Sequence, residues 1–412
     1  MPSKRKGSSF NSMRTKRELE TVILFTTGKC NAKCAMCFYA DEMEKKEKDL
    51  SFENIKKLTE SAGEIKRLLL SGGEPTLREE LPEIIELFYN NNHITDLNIP
   101  TNGMQTDRIV EWITRWRKNC PDLNITVSVS FDGFGQTHDT QRGVVSFYKA
   151  AETLKKLDEH FKDDGHVIRN IATIITKYNV EEIVDFVNWV YGRFNVSTHT
   201  IEAARGNTRE TGVKILTEKS LIAIQDKIAP YYLLYAKRIG AGMNFIGRGL
   251  TKFFYVGLMR AMYNLRAKNI DKPTSWEMDC TAGETTLVVD YDGRFRACEL
   301  RDPIGKVEDY ACDVKAIMAG DAMKKEIEAI GHGYKANCWC THGCWMMTSI
   351  TFNPGKMISM LLKANKETKR LNKKYPVVMD DEVLRQMEKK YKLDSEKLKT
   401  IGIIGNTEKG AS

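Results

Sequence analysis

TVILFTTGKCNAKCAMCFYA, residues 21–40, runs from an apolar, β-branched segment straight into three cysteines, Cys30, Cys34 and Cys37. The segment 21–27 has the length and composition of a buried strand. Gly28 follows it, so the thiols lie on the loop that leaves the strand. In folds that alternate strands with helices, that end of the sheet is where functional groups collect. Four thiolates would close a tetrahedral zinc site or ligate every iron of a cluster. Three leave one metal position open to a small molecule. Zinc sites usually come as paired cysteine knuckles, and no second knuckle lies nearby. A zinc site completed by a distant histidine is the alternative.

The strand–helix unit repeats. Further apolar runs occupy 65–71, 94–102, 125–131, 167–176 and 197–204. Segments with apolar residues at i, i+3 and i+4 separate them, at 52–62, 78–91, 106–119, 146–160 and 180–194. Six such units predict an α/β fold with parallel strands, either an open sheet or a partial (β/α)6 barrel of TIM type. TTLVVDYDGRFRAC, 285–298, predicts a hairpin turning at Asp292-Gly293. The expected organisation is a basic flexible arm (1–19), the barrel core (20–210), a helical connector (211–275), a cysteine-bearing domain of hairpin plus helices (276–350) and a basic helical extension (351–412).

The 412 residues are 42% hydrophobic and 29% charged, with a formal charge of +8. This suits a globular protein of two or three domains. No secretory signal and no long apolar run are present, so the expected location is cytoplasmic. Ten cysteines in that setting point to metal or redox chemistry rather than disulfides. Basic residues concentrate towards the two ends, as Lys4, Arg5, Lys6, Arg14, Lys16 and Arg17, and as Lys363, Lys366, Lys369, Arg370, Lys373 and Lys374. They are not interleaved with aromatics, so no nucleic acid partner is expected. Segments 243–265 and 345–362 are rich in Met and aromatic residues. In the first, Ile246, Leu250, Phe254, Leu258 and Met262 share one helical face, with Arg248, Lys252 and Arg260 on the other. A core-facing helix is the plain expectation; peripheral contact with a membrane is the alternative. Gly247, Gly249 and Gly257 weaken the helix itself.

Cys30-x3-Cys34-x2-Cys37, ended by Phe38, resembles the signature of the radical S-adenosylmethionine (SAM) enzymes. The resemblance implies that the three thiolates hold three irons of a [4Fe–4S] cluster while the fourth iron chelates SAM. One electron then cleaves SAM to methionine and a 5′-deoxyadenosyl radical, which takes a hydrogen atom from the substrate. Gly72-Gly73-Glu74-Pro75, at the end of the second strand, resembles the family's Gly-Gly-Glu motif, which binds the SAM amino group. Asn102 and Gly103 after strand three are expected on the same face. So are Ser130 and Asp132 at strand four, placed to hydrogen-bond the ribose or carboxylate of SAM. Glu202 and Arg205 after strand six are expected to meet the SAM carboxylate or the substrate.

Cys280-x12-Gly293-x4-Cys298 resembles the start of the SPASM and twitch extensions, whose hairpin carries ligands for an auxiliary [4Fe–4S] cluster. Only Cys338-x-Cys340-x3-Cys344 follows, short of a full SPASM set. One auxiliary cluster is therefore implied. Cys280, Cys298 and Cys344 are the foremost ligands, Cys340 the fourth and Cys338 its competitor. His342 is read as a loop residue with ligation as the alternative, and Cys120 and Cys312 as structural. The resemblance also implies a reductant such as flavodoxin or ferredoxin. The expected reaction is oxidation of a small sugar- or alcohol-like molecule, with the auxiliary cluster as electron acceptor. Alternatives are a peptide or lipid-linked substrate, or an iron–sulfur electron carrier without catalysis. The first twenty residues are short for the leader-binding module that peptide substrates usually require.

Overall fold

The computed structural model describes residues 17–271, 280–331, 338 and 340–405, without the side chain of Cys344. Each of the six apolar runs forms a strand: β1 Thr21–Phe25, β2 Arg67–Ser71, β3 Asp96–Thr101, β4 Asn124–Ser130, β5 Val167–Ile175 and β6 Thr198–Ala203. They pair in chain order and all in parallel. Helices Phe52–Ala62, Leu81–Asn92, Thr106–Asn119, Phe147–Phe161 and Ile183–Arg193 fill the crossovers. Their apolar stripes, such as Ile109, Trp112, Ile113 and Trp116, are buried. This is the partial TIM-type (β/α)6 arrangement.

The two faces of the sheet differ. β2, β3 and β6 alternate between buried and half-buried residues. One face is sealed by helices, and the other opens on an interior that side chains do not fill.

The expected hairpin forms from β7 Thr286–Val289 and β8 Arg294–Arg296. Gly293 takes φ +84°, a left-handed turn position that favours glycine. A short third strand, β9 Gly305–Lys306, was not legible in its two residues. β7 lies parallel to β1, Thr21 opposite Thr286, so the hairpin extends the barrel sheet to nine strands. The buried Asp290–Arg296 ion pair braces it.

The connector and the C-terminal extension are not separate layers. Helices Glu218–Ile239, Phe245–Asp271 and Pro354–Lys374 pack on one another. Gly257 permits one crossing, because a Cβ there would stand 2.6 Å from Asn365 and 2.9 Å from Leu361. The predicted stripe on Phe245–Asp271 is only partly core-facing. Met262 is buried but Ile246 and Leu250 are exposed, while Arg260, placed on the opposite face, is buried against Asp226 and Glu367. Helix Asp381–Lys390 returns to the barrel, where Glu388 accepts from Trp189 Nε1 at 2.9 Å and Arg193 Nε at 2.7 Å. At the other end, residues 17–19 of the predicted arm are tied down: Arg17 pairs with Glu284 at 2.6 Å and Leu19 packs on the core. Residues 1–16 lie outside the described residues.

Two histidines are sealed in the layer between the sheet and its helices. His138 accepts from the Asp132 N–H, and His199 meets the Thr173 hydroxyl. Burial holds His138 well below the ordinary imidazole range and His199 at about 3. In the unfolded chain both titrate near pH 6.5. A base whose folded pKa is depressed adds nothing above that pH and favours unfolding below it. Stability therefore falls as pH drops from about 6.5, by roughly 1 kcal/mol per pH unit for each histidine. Urea midpoints between pH 7.5 and 5.5 will show this slope, and His199→Gln will make it shallower.

Candidate active site

Beyond β1 the chain from Thr26 to Tyr39 forms the cysteine loop, and its conformation is set by the loop after β2. The Gly73 N–H donates to the Thr27 carbonyl at 2.8 Å, and the Glu74 N–H to the Lys29 carbonyl at 2.8 Å. The approach is so close that a Cβ on Gly73 would stand 1.9 Å from the Lys29 oxygen. Gly72 adopts φ +107°, with its own hypothetical Cβ 2.8 Å from the Thr27 oxygen. Asp49 holds the other side, accepting from the Thr27 hydroxyl at 2.7 Å and the Gly28 N–H at 2.9 Å. Arg78 donates to the Thr26 carbonyl from within the protein. The glycines thus act as a clamp on the thiol loop. The Glu74 carboxylate is consumed internally, accepting from Thr76, Thr101 and the Asn102 N–H. Pro75 opens the turn Pro75–Leu77 and does not face the cavity, contrary to its place in the predicted binding set.

Asp132 also departs from expectation. It is fully buried, pairs with Arg142 at 2.5 Å and accepts from the Ile174 N–H at 2.7 Å. Its neighbour is Arg142 rather than the cavity. Arg142 ends the short helix Gly135–Arg142, and its Nη1 lies 3.7 Å from Cys34 Sγ. Asp132 therefore reaches the thiol loop through a guanidinium that sequence reading missed.

Cys30, Cys34 and Cys37 line one cavity of about 370 Å³ at the strand ends. Phe38, Gly72, Gly73, Glu74, Asn102, Ser130, Glu202 and Arg205, all named from the sequence, also line it. Arg205 sits over the Phe38 ring, 5.1 Å from its centroid, and pairs with Glu202 at 2.7 Å. Burial pushes the Glu202 carboxyl up, but Arg266 and Arg205 more than offset it and hold it at about 2.

Deeper in the barrel lies a polar girdle, also missed. Ser128 on β4 donates to Asn98 on β3 at 3.2 Å. Asn170 on β5 joins Ser128 at 3.0 Å to Thr198 at 2.7 Å and Thr200 at 3.2 Å on β6. Its signal was an asparagine at the centre of an apolar strand. Glu299 and His342, bonded to each other, line the same cavity. His342 is thus a loop histidine, as expected, but one buried in the cavity wall.

A second cavity, of about 590 Å³, lies across the end of β6. Cys280, Cys298, Cys338 and Cys340 line it, and Ala203, Ala204 and Arg205 line both cavities. The helix Gly343–Thr351 contains Cys344, whose side chain lies outside the described residues. The His342 N–H donates to Cys340 Sγ at 3.1 Å. Cys120 and Cys312 are buried elsewhere, as expected.

Among the described residues no three thiol, imidazole or carboxylate groups converge on a single ion. The thiols ring cavities instead. Three thiols on one loop beside a guanidinium, and four around a second void, are donor sets suited to iron–sulfur clusters. Burial, reinforced by neighbouring thiols, raises Cys37 and Cys280 to about 11. Metal binding at either set must displace protons.

Residues 24–190 match the Radical SAM superfamily. The chain is 35% identical over 97 residues to a probable GTP 3′,8-cyclase of Methanococcus maripaludis, covering 23% of this chain and 32% of that protein. It is 30% identical over 172 residues to the Fe-coproporphyrin III synthase of Methanosarcina barkeri, covering 41% of this chain and 40% of that one. The chain therefore spans well under half the length of these curated relatives. Among solved structures, SuiB of Streptococcus suis bound to its precursor peptide SuiA superposes with a TM-score of 0.51 at 14% identity. That match covers 76% of this chain and 67% of the other, a likeness of fold.

The clamp yields a prediction. Gly73→Ala forces a methyl into the Lys29 carbonyl and will lower unfolding stability by about 1–3 kcal/mol in urea titration. Gly63→Ala is the comparison, since its Cβ meets nothing within 4 Å and only its φ of +72° opposes it. The thiol loop and the glycine clamp both fall inside residues 24–190, the span that matches the Radical SAM superfamily.

Proposed function

We propose that the chain is a radical SAM enzyme that oxidises a small, neutral, hydroxyl-bearing molecule held inside the barrel. The Cys30, Cys34 and Cys37 set would hold the SAM-binding [4Fe–4S] cluster. Cys280, Cys298, Cys338 and Cys340, with Cys344 as a fifth candidate, would hold one auxiliary cluster. Bound there, the clusters would supply the electron that cleaves SAM and accept the one left on the substrate after hydrogen abstraction.

The chain's own groups divide the remaining work. Arg142, fixed by Asp132, stabilises negative charge on Cys34. The clamp at Gly72 and Gly73 fixes the loop before any ligand arrives, so positioning is built into the fold. Phe38 and Arg205 form a rim suited to SAM, and Asn102 and Ser130 offer hydrogen bonds along it. Glu202 holds Arg205 in place.

The observation that carries the substrate class is the girdle of Asn98, Ser128, Asn170 and Thr200 on the cavity wall. Barrel interiors are ordinarily packed with branched apolar side chains. Polar groups that converge on an open interior suit hydroxyls. The cavity's arginines are already matched, Arg142 to Asp132, Arg205 to Glu202 and Arg209 to Glu44. A triphosphate would require cations that are not so engaged, which sets this reading apart from the GTP named for one relative. A flavodoxin or ferredoxin is the proposed electron donor.

Anaerobic reconstitution with dithionite and SAM is the test. Wild type will form 5′-deoxyadenosine and Cys34→Ala none; equal yields would overturn the proposal. Iron analysis will give about eight atoms per wild-type chain and about four in Cys298→Ala, as two four-iron clusters require. Asn170→Leu will keep substrate-free SAM cleavage but lose at least about tenfold in turnover of a hydroxylated substrate, the scale of one unmade buried hydrogen bond.

A further inference from the structure

The tip of the helical layer lies away from the barrel chemistry and is built differently from the rest of the surface. Phe245 is 89% exposed, Ile246 70% and Leu250 54% on one helix, and Ile358 is 46% and Leu362 57% exposed on another. Soluble surfaces scatter single apolar residues, but contiguous clusters of this size mark contact sites.

The two helices that carry these residues pack on each other. The Phe253 carbonyl accepts from Asn365, Gly257 abuts Leu361 and Asn365, and Glu367 accepts from Arg260 and Asn264. The two helices therefore cross near Gly257, and the N-terminal half of each, from Phe245 and from Pro354, carries exposed apolar residues.

The charge around the tip has one sign. No Asp or Glu occurs between Asp226 and Asp271, or between Glu328 and Glu367. Within those stretches Arg248, Lys252, Lys363 and Lys366 are exposed. Among the described residues no helix is long and apolar enough to cross a membrane. An apolar tip ringed by cations, on helices that cannot span, matches the physics of an element that lies on a bilayer.

We propose that this tip docks on an anionic lipid surface. Phe245, Ile246, Leu250 and Leu362 enter the headgroup–acyl boundary, and Arg248, Lys252, Lys363 and Lys366 meet lipid phosphates. A second copy of the chain is the competing occupant. A two-fold contact through the tip would bring the same cations face to face, and that opposes it. Negative lipid charge removes the conflict, each basic residue near such a surface adding to the attraction.

Flotation of the full chain with vesicles of phosphatidylcholine, with and without phosphatidylglycerol, tests this. The chain will float with the anionic vesicles and remain at the bottom with the neutral ones. Phe245→Ser with Ile246→Ser will weaken anionic binding at least about tenfold, the scale of losing two large apolar contacts. Arg248→Glu with Lys252→Glu will weaken it by about tenfold or more. Both pairs are exposed, so melting temperatures will match wild type. The proposal is overturned if wild type ignores anionic vesicles or if the serine variant floats equally well. It is also overturned if light scattering without lipid finds a dimer that the serine variant dissolves. None of these readouts depends on SAM cleavage.

Discussion

Two backbones pass within hydrogen-bonding distance at the mouth of the barrel, and the site depends on that crossing. The Gly73 and Glu74 amides bind the Thr27 and Lys29 carbonyls just before Cys30. Any Cβ at Gly73 would prise the two loops apart. The first thiol is thereby placed by main-chain geometry rather than by side-chain packing. Main-chain bonds buried in this way have few alternative arrangements. The glycines are needed for close approach and turn geometry, and the acidic residue after them serves mainly to hold β3 through Thr101 and Asn102.

The barrel interior follows a second constraint. A buried amide is tolerated only when its donors and acceptors are met. Asn170 meets Ser128 on one side and Thr198 and Thr200 on the other, and either orientation of its amide finds partners. The girdle is therefore internally satisfied, yet it still faces open space. Arg142, Arg205 and Arg209 are likewise neutralised where they stand. The cavity presents directional hydrogen bonding with little unbalanced charge.

Much of this was legible from residues alone. The six strands appear where the apolar runs lie, because each run buries at least one face against the helices. The hairpin at Asp292-Gly293 was readable from its turn chemistry. The cysteine and glycine motifs carry fixed spacings, so their shared cavity could be anticipated. Asp132 was misjudged because an acidic residue after a strand looks alike whether it faces a ligand or an arginine. Arg142 itself carries no motif, being brought to Cys34 by a short helix whose register is tertiary. The polar girdle was missed for a related reason: each member is an ordinary residue on its own strand, and only the parallel register aligns them. The helix Phe245–Asp271 was misread at one end because periodicity reports a face, not what covers it.

The pairing of β1 with β7 has a consequence for how the chain is made. Thr21 finds its neighbour Thr286 only after the intervening sequence has been synthesised. At the usual roughly 5–20 residues per second, one edge of β1 stands without a partner for on the order of tens of seconds. Contacts this distant in sequence also form slowly. The nascent barrel must therefore keep an apolar strand edge from pairing with other chains until β7 emerges. Cys280 and Cys298 flank the hairpin that β7 begins, so closure of the sheet and assembly of the second thiol set are coupled.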